Sequence, residues 1–404
     1  MKKEKLWTKE FVTVSVINFL LILMFYLLMV TIASYAKAEF DASTSTAGLV
    51  SSIFIIGALF GRLAGGRISG EIGTKKTLWI GLIAFTVTSV LYFAAVNVGL
   101  LLVNRLLQGV AVGLASTATG TIIAQILPLA RKGEGIGYYS LSSVLATAIG
   151  PFIGILMINI ENGFTLIFAM NVVLAFICII FYALVKIDVP KLPARKNEDN
   201  NGGLLSKFIE PKAMPISFIV LLLGFAYSGV MSFLSFYAEE IDLVTASGYF
   251  FLVYAIAIIF SRPFTGKLMD VRGANVVTYP SLLLFAVGMV LFSQATAGWM
   301  LLLSAVLIGL GYGNFSSIAQ TIAVKVTEPH RLGLATSTYF ILLDIGLGVG
   351  PFILGFVVPH TGYRIIFMAM VALIVCSVPL YYLLHGRKDR ELLKVPVSRG
   401  TQMK

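Results

Sequence analysis

The sequence predicts an all-α membrane protein with twelve transmembrane helices, arranged as two six-helix bundles. Three observations support this prediction. The 404 residues are 58% hydrophobic and only 12% charged, whereas roughly a quarter of the residues of a soluble domain are charged. The chain divides into apolar segments of about 20 residues or more, which is the length that spans a bilayer. The second half of the chain also repeats motifs of the first half at a constant offset.

The repeat is clearest in a glycine-rich basic turn. This turn runs from Gly61 to Lys76 and returns from Ser261 to Asn275. Further pairs at the same offset lie along both halves: Arg62 and Arg262, Gly66 and Gly266, Gly73 and Gly273, Gly109 and Gly309, Gly113 and Gly313, Tyr139 and Tyr339, and Gly150-Pro151 and Gly350-Pro351. We therefore expect two copies of one membrane unit, related by a pseudo-twofold axis along the membrane normal.

Twelve apolar segments follow one another along the chain, separated by short polar turns. They cover residues 11–36, 46–69, 77–96, 100–127, 133–159, 163–186, 213–238, 246–268, 276–295, 298–325, 332–358 and 362–385. The first segment follows Met1-Lys2-Lys3, as the core of a signal peptide would. It is too long for such a core and no small-residue cleavage site follows it, so we predict that it is the first helix.

One polar stretch separates the two sets of six segments. It is rich in proline, asparagine, glycine and mixed charges, and it is too short for a domain of its own. We therefore predict an N-terminal six-helix bundle over residues 1–186, a cytoplasmic linker over 187–212, a C-terminal six-helix bundle over 213–385 and a basic cytoplasmic tail over 386–404.

The positive charge of the chain, +11, is distributed by side rather than spread evenly. With both termini in the cytoplasm, Lys37 and Arg364 fall outside and Arg105 falls within a helix. The remaining lysines and arginines lie at or near the inner face. This is the positive-inside bias of membrane proteins, so we predict a multi-pass protein of the plasma membrane in contact with lipid, and no nucleic-acid partner.

Asp344 is the only acid that falls deep within a predicted membrane helix. It lies about twelve residues from the inner end of segment eleven, roughly 18 Å by helical rise. A carboxylate at that depth pairs with a cation or becomes easier to protonate, so we predict that Asp344 couples transport to protons. The alternative is a structural role, in which neighbouring helices donate hydrogen bonds to it. Arg105 is the only intramembrane cation that the sequence offers as a partner for Asp344, and the sequence does not show that the two meet. The alternative for Arg105 is snorkelling to the membrane surface.

Other polar and small residues suggest a cavity and bending points. Polar groups within membrane helices usually face the bundle interior, and we expect six of them to line a substrate cavity: Asn18, Tyr26, Asn171, Tyr227, Tyr254 and Asn314. Proline frees a backbone carbonyl within a helix, and glycine lets a neighbouring helix approach. We therefore expect helix hinges at Gln108, Gly109, Gly113, Gly150, Pro151, Gly154, Gly346, Gly350, Pro351 and Gly355.

Three motifs resemble those of the major facilitator superfamily, in its twelve-helix drug:proton antiporter branch. These are Gly66-x-x-x-Gly70-Glu71-x-Gly73-Thr74-Lys75-Lys76, Arg105-x-x-Gln108-Gly109-x-x-x-Gly113 and Gly150-Pro151-x-x-Gly154. The resemblance covers nearly the whole chain. It implies a proton-transfer role for Arg105, and hinge and proton-seal roles for the helix-five motif.

The resemblance also implies a gating loop at the inner face, formed by two sets of residues: Gly66, Glu71, Gly73, Lys75 and Lys76 in the first half, and Gly266, Asp270, Arg272 and Gly273 in the second. The first copy departs from the family pattern, since Gly70 stands where the family has aspartate. The second copy restores the acid as Asp270. A charged latch is therefore expected to be weaker in the first half, or rearranged around Glu71.

These observations favour a secondary transporter that exports a small lipophilic or amphiphilic solute in exchange for protons by alternating access. Alternatives are efflux of a sugar, an amino acid or a metallophore, or a sensor or scaffold with the same fold. The sequence has no Walker motif and no group of histidines at metal-ligand spacing. We therefore predict no enzyme activity, no cofactor, no metal, and a monomer whose partners are its substrate, protons and lipid.

Overall fold

The computed structural model of the protein describes residues 5–158, 160–185, 187 and 207–389. Most of the predicted linker and of the predicted basic tail lies outside these residues. Within them the chain is almost entirely helical, and twelve helices are long and apolar enough to cross a membrane. The predicted fold class is therefore confirmed.

The helices of the first half are α1 (Lys9–Phe40), α2 (Thr44–Glu71), α3 (Thr74–Leu91), α4 (Val98–Ile126), α5 (Lys132–Ile158) and α6 (Gly163–Leu184). Those of the second half are α7 (Met214–Glu240), α8 (Val244–Arg272), α9 (Asn275–Ser293), α10 (Gly298–Lys325), α11 (Leu332–Thr361) and α12 (Tyr363–Leu384). One turn of α10, Gly309–Gly313, is a π-helix.

Local sequence signals explain several helix ends. The side chains of Thr8, Ser43 and Asn97 cap α1, α2 and α4 by accepting a hydrogen bond from a backbone N–H of the first turn, which satisfies a donor that has no partner within the helix. Gly73 and Gly273 form the equivalent turns after α2 and α8, both at φ 92°. That conformation suits glycine because it has no Cβ.

Each half of the chain has its own apolar core. One cluster of buried side chains belongs wholly to the second half and extends from Ala213 to Tyr381. Two others are built from the first half, joined only by Val324 and Leu332 of the second. Each half therefore buries its own apolar faces, and movement of the halves against each other stays a prediction.

Within the first half, α2 and α4 touch along their backbones. A Cβ built on Gly57 or Gly61 would lie 2.1 or 2.2 Å from a carbonyl oxygen of α4, and one on Gly109 or Gly113 would lie 2.1 or 2.3 Å from a carbonyl oxygen of α2. Small residues four apart on both helices therefore permit this approach. Gly109 and Gly113, expected as hinge residues, lie at this packing contact, and their role as hinges stays a prediction.

We expect Gly109→Ala to destabilise the protein by about 3 kcal/mol, at the upper end of what overpacking costs, because the atoms that its Cβ meets are backbone. The measurement is thermal unfolding of the purified protein in detergent. Gly48→Ala is the matched control, since Gly48 lies in α2, the helix that Gly109 packs against, and no described atom lies within 4 Å of its Cβ position. Equal melting temperatures for the two variants would contradict the contact.

The two halves meet at one end of the molecule. We call it the basic end, and define it by the turns Ile72–Gly73 and Gly273–Ala274. There Gly66 of α2 packs against Gly333 of α11, and Gly266 of α8 packs against Gly133 of α5. The described hydrogen bonds and ion pairs between the halves lie at the level of Asp344 or closer to this end. The halves are therefore joined at the basic end.

Candidate functional site

A cavity of about 130 Å³ lies between the halves, beyond Asp344 as seen from the basic end. Its lining is mostly aromatic and apolar, with two hydroxyl groups on α5, and it comprises Tyr26, Ser143, Val144, Thr147, Tyr227, Met231, Phe251, Tyr254, Ala255, Tyr312 and Leu347. Three of the six residues expected to line a cavity, Tyr26, Tyr227 and Tyr254, do so. Such a lining suits an apolar or aromatic solute.

The three asparagines in that expectation lie outside this lining. The Asn18 amide donates to Ser142 and Ser143 and accepts from Tyr139, so it holds α1 to α5. Asn171 is buried in α6 and donates to a carbonyl of its own helix. Asn314 bonds Ser261 of α8. Hydropathy marks such residues as facing inward, but it does not separate a cavity wall from a helix contact.

A stack of three tyrosines forms one wall of the cavity. The ring of Tyr227 lies between Tyr254, at 5.5 Å between centroids, and Tyr312, at 4.2 Å, and both pairs are nearly parallel. Tyr312 belongs to the π-turn of α10. Although Gly109 and Gly113 repeat as Gly309 and Gly313, only the second copy is π-helical. The glycine repeat therefore could not have revealed this turn or the placement of Tyr312.

Asp344 of α11 forms an ion pair with Arg62 of α2, across the boundary between the halves. Arg62 Nε lies 2.6 Å from Oδ2 and Nη2 lies 3.3 Å from Oδ1, so the contact is bidentate. The side chains are only 10% and 18% exposed. Arg62 also donates to Ser116 at 3.2 Å and lies over the ring of Phe340. The guanidinium is therefore held by both halves.

This pair corrects the expectation that Arg105 is the only intramembrane cation. Arg62 and Arg262 are both buried within membrane-spanning helices. Both were expected at the basic turn, because glycines flank Arg62 and because Ser261, Pro263 and Gly266 lie near Arg262. In the structure, α2 and α8 continue beyond them to Glu71 and Arg272. The pairing of Arg62 with Asp344 joins residues that are far apart in the chain, so no local pattern could identify it.

Arg105 is enclosed within the first half, with no exposed surface. Its guanidinium donates to Gln108 at 2.9 Å, to the Tyr92 hydroxyl at 3.3 Å and to the Val50 carbonyl at 3.3 Å. It also lies over the ring of Phe54. Snorkelling is therefore wrong for Arg105. Gln108, expected as a hinge residue, is its hydrogen-bond partner.

In the second copy of the gating loop, a carboxylate contacts the other half of the protein. Asp270 of α8 accepts hydrogen bonds at 2.9 Å from the backbone N–H groups of Gly133 and Glu134, at the start of α5. Lys325 donates to the same carboxylate at 2.7 Å, and the Asp270 side chain is only 5% exposed. A carboxylate at a helix N-terminus is stabilised by the backbone N–H groups and the helix dipole. Asp270 thus fastens the second half to the first.

The first copy has no such contact in the described structure. No atom lies within 4 Å of a Cβ built on Gly70, and Glu71 pairs with Arg67 of its own helix at 2.7 Å. The exposed side chains of Lys75, Lys76 and Arg272 lie around the two loops. Here the halves rely on backbone packing instead, together with a hydrogen bond from the Ser337 hydroxyl to the Arg62 carbonyl.

The remaining predicted hinge residues lie mostly at helix contacts. Gly150 and Gly154 of α5 pack against α1, while Gly346 and Gly350 of α11 pack against α7. Pro151 and Pro351 follow within these helices, and Gly355 meets only the Phe233 ring, at 4.0 Å. The packing explains why small residues stand there, and bending at these sites stays a prediction.

Twelve membrane helices in two repeated bundles, with a cavity between them, define a multi-pass membrane transporter. The family comparison agrees with this class. The model of the Major Facilitator Superfamily matches residues 14–313 and 280–400, so the chain belongs to this superfamily. Its members are transporters, and the prediction that the chain is not an enzyme is confirmed on that ground.

Relatives with known names cover most of the chain. It is 26% identical over 336 residues to multidrug resistance protein MdtG of Proteus mirabilis, covering 80% of this chain and 82% of that protein. It is 23% identical over 359 residues to the staphylopine export protein of Staphylococcus aureus, covering 85% and 88%. The crystal structure of the human organic anion transporter MFSD10 superposes with a TM-score of 0.76 at 15% identity, covering 92% and 98%. That likeness concerns the fold.

Proposed function

We propose that this transporter exports a small amphiphilic or lipophilic solute in exchange for protons by alternating access. The observation that carries the proposal is the Arg62–Asp344 pair, which joins the halves between the cavity and the packed basic end. Protonation of Asp344 removes its charge and leaves a weaker contact between the Arg62 cation and a neutral carboxyl group. A proton can therefore act on the contact that holds the halves together.

The solute class follows from the lining and from the relatives. The cavity wall is largely tyrosine, phenylalanine, methionine and aliphatic side chains, which bind apolar surface and π systems. One relative is named as a multidrug resistance protein and another as an exporter of staphylopine. Both names fit export, and the second keeps a metallophore as the alternative solute.

Arg105 has a supporting part in this proposal. It is buried among neutral partners in α2, in α4 and at the end of α3 and does not touch Asp344, which pairs with Arg62. Its fixed charge raises the electrostatic potential of the first half, which disfavours additional positive charge nearby. The proton-transfer role that the family resemblance implies for Arg105 would therefore act through its charge and not through contact with Asp344.

The proposed orientation places the basic end and both termini in the cytoplasm, following the positive-inside bias. The conformation described here is then closed toward the cytoplasm, with the Asp270 contact and the paired glycines as its inner gate. The predicted units are 1–186 and 213–385, joined by 187–212 and followed by a tail over 386–404. We further propose that the plasma-membrane protein works as a monomer, because each half completes its own core.

Exchange in proteoliposomes tests this function. We expect counterflow of at least one of three aromatic probes: the cation ethidium, the anion 1-naphthylacetate and the neutral 2-(1-naphthyl)ethanol. With the membrane potential clamped by potassium and valinomycin, a pH gradient of one unit provides about 1.4 kcal/mol per proton. It should therefore drive roughly tenfold accumulation of the probe.

Protein-free liposomes are the control for passive permeation of the probes. Counterflow without any response to the pH gradient would indicate a facilitator and would refute proton exchange. No exchange of any probe above the protein-free level would favour the scaffold or sensor alternative.

A further inference from the structure

The pseudo-symmetry of the halves gives Arg62 an equivalent, Arg262 of α8. The two arginines occupy the same place in the repeat, and both are buried. Arg62 has a carboxylate partner in Asp344 of α11. The residue equivalent to Asp344 in the first half is Val144 of α5. Within the described part of the chain, Arg262 therefore lacks the counter-charge that its equivalent possesses.

The surroundings of Arg262 leave its hydrogen-bonding capacity unfilled. Its Nη2 donates to the Gly313 carbonyl at 2.7 Å, but its Nε is buried without a hydrogen-bond partner. The residue is 3% exposed, and no described carboxylate pairs with it. Arginine stays protonated in proteins, and a buried charge is usually paired. This site thus has a cation in place and an anion missing.

The missing counter-charge coincides with the cavity. Val144 is part of the cavity lining. Tyr254 is too, and it lies in the same helix as Arg262. The Tyr254 hydroxyl lies beside Gly313, 3.6 Å from a Cβ built there, and Gly313 is the residue that accepts from Arg262. Tyr254 therefore lines the cavity and also lies beside the residue whose carbonyl accepts from Arg262.

We propose that the solute taken by this cavity is an aromatic or amphiphilic carboxylate. Its carboxylate pairs with Arg262, in the place that Asp344 holds opposite Arg62, and its apolar body packs against the tyrosine stack. Since arginine and carboxylate groups match in bidentate geometry, this pairing also gives selectivity for anions. This proposal names the substrate class of the proposed transporter. It rests on the proposed function, because only a transporter would use this site for transport.

Equilibrium dialysis of the purified full-length protein at pH 7.5 tests the inference, with 1-naphthylacetate and 2-(1-naphthyl)ethanol as probes. These probes share the naphthalene ring and differ in the carboxylate. We expect the wild-type protein to bind the carboxylate about tenfold more tightly than the alcohol, as a charge-assisted contact provides. Arg262→Gln should remove this preference.

A second variant provides a more specific test, because its own side chain supplies the negative charge that Arg262 lacks. Val144→Asp places a carboxylate opposite Arg262 and mirrors the Arg62–Asp344 pair, whereas Val144→Asn has the same size without the charge. We expect the dissociation constant of 1-naphthylacetate to be about tenfold higher in Val144→Asp than in Val144→Asn. The alcohol should bind the two variants equally. Monodisperse elution of both variants in size-exclusion chromatography confirms that they fold.

Equal carboxylate affinity in the Asp and Asn variants overturns the inference. So does a wild-type protein that binds the alcohol as tightly as the carboxylate, or binds neither probe. The counterflow assay separates this outcome from failure of the proposed function. Exchange without preference for the anion supports the transport function and refutes the Arg262 site. Anion binding at Arg262 without any exchange supports the site and refutes the transport function.

Discussion

Asp344→Asn is expected to abolish proton-driven accumulation while leaving exchange at equal pH in place. Asparagine has nearly the same shape and still accepts a hydrogen bond from Arg62, but it cannot lose or gain a proton between the two sides. With the coupling group removed, accumulation under a one-unit pH gradient should fall about tenfold, to the level reached without a gradient. Proteoliposome uptake of the exchanged probe, with and without the gradient, provides the measurement.

The matched control for this variant is Asp242→Asn. Asp242 lies in the turn between α7 and α8 at φ 55°, a left-handed conformation that asparagine also adopts readily. It should retain the full response to the gradient. A response in Asp344→Asn equal to that of Asp242→Asn would refute the coupling role of the Arg62–Asp344 pair and favour the structural alternative for Asp344.

Asp270→Asn is expected to open the basic end. The change removes the charge that Lys325 and the start of α5 share at one buried carboxylate, and breaking such a buried pair costs about 3–5 kcal/mol. Ser337 reports the effect, because it is buried at the contact with Gly66. In a background with Cys178 and Cys376 replaced by alanine, labelling of Ser337→Cys by N-ethylmaleimide should accelerate at least about tenfold.

The equivalent loop of the first half provides the control for Asp270→Asn. Glu71 forms an exposed pair with Arg67 one turn earlier in α2, and such pairs contribute only about 0.3–0.5 kcal/mol. Glu71→Gln should therefore leave the labelling rate of Ser337→Cys close to that of the parent protein. If both variants accelerated labelling equally, the asymmetry between the two loops would be disproved.

The two gating loops were predictable from the sequence only in part. The loss of aspartate at Gly70 and its return as Asp270 are visible in the sequence, and they predicted a latch that is weaker in the first half or rearranged around Glu71. The latch itself stays a prediction, and the partners of Asp270 across the halves are backbone N–H groups at the start of α5. A motif carries no signal for such partners, because every helix begins with free N–H groups and only tertiary packing selects one of them.

Of the three buried arginines, the sequence identified one as intramembrane and missed two. Arg105 stood out because apolar residues surround it in the sequence. Arg62 lies among glycines, and Arg262 lies near Ser261, Pro263 and Gly266, so both sequences resemble a turn. In the structure the glycines Gly61, Gly66 and Gly266 form close helix contacts. Glycine is ambiguous in this way because it is frequent both in turns and at contacts between membrane helices.

By itself, the sequence determined the class, the twelve helices, the doubling of the unit and the depth of Asp344. These depend on local hydropathy and on spacing, which act along the chain. Only the tertiary structure decided that Asp344 meets Arg62, that Arg262 has no such partner among the described residues, and that Tyr312 joins the cavity wall through a π-turn. These depend on contacts between residues far apart in the chain, since the partner of a buried charge is set by which helices cross and at what height.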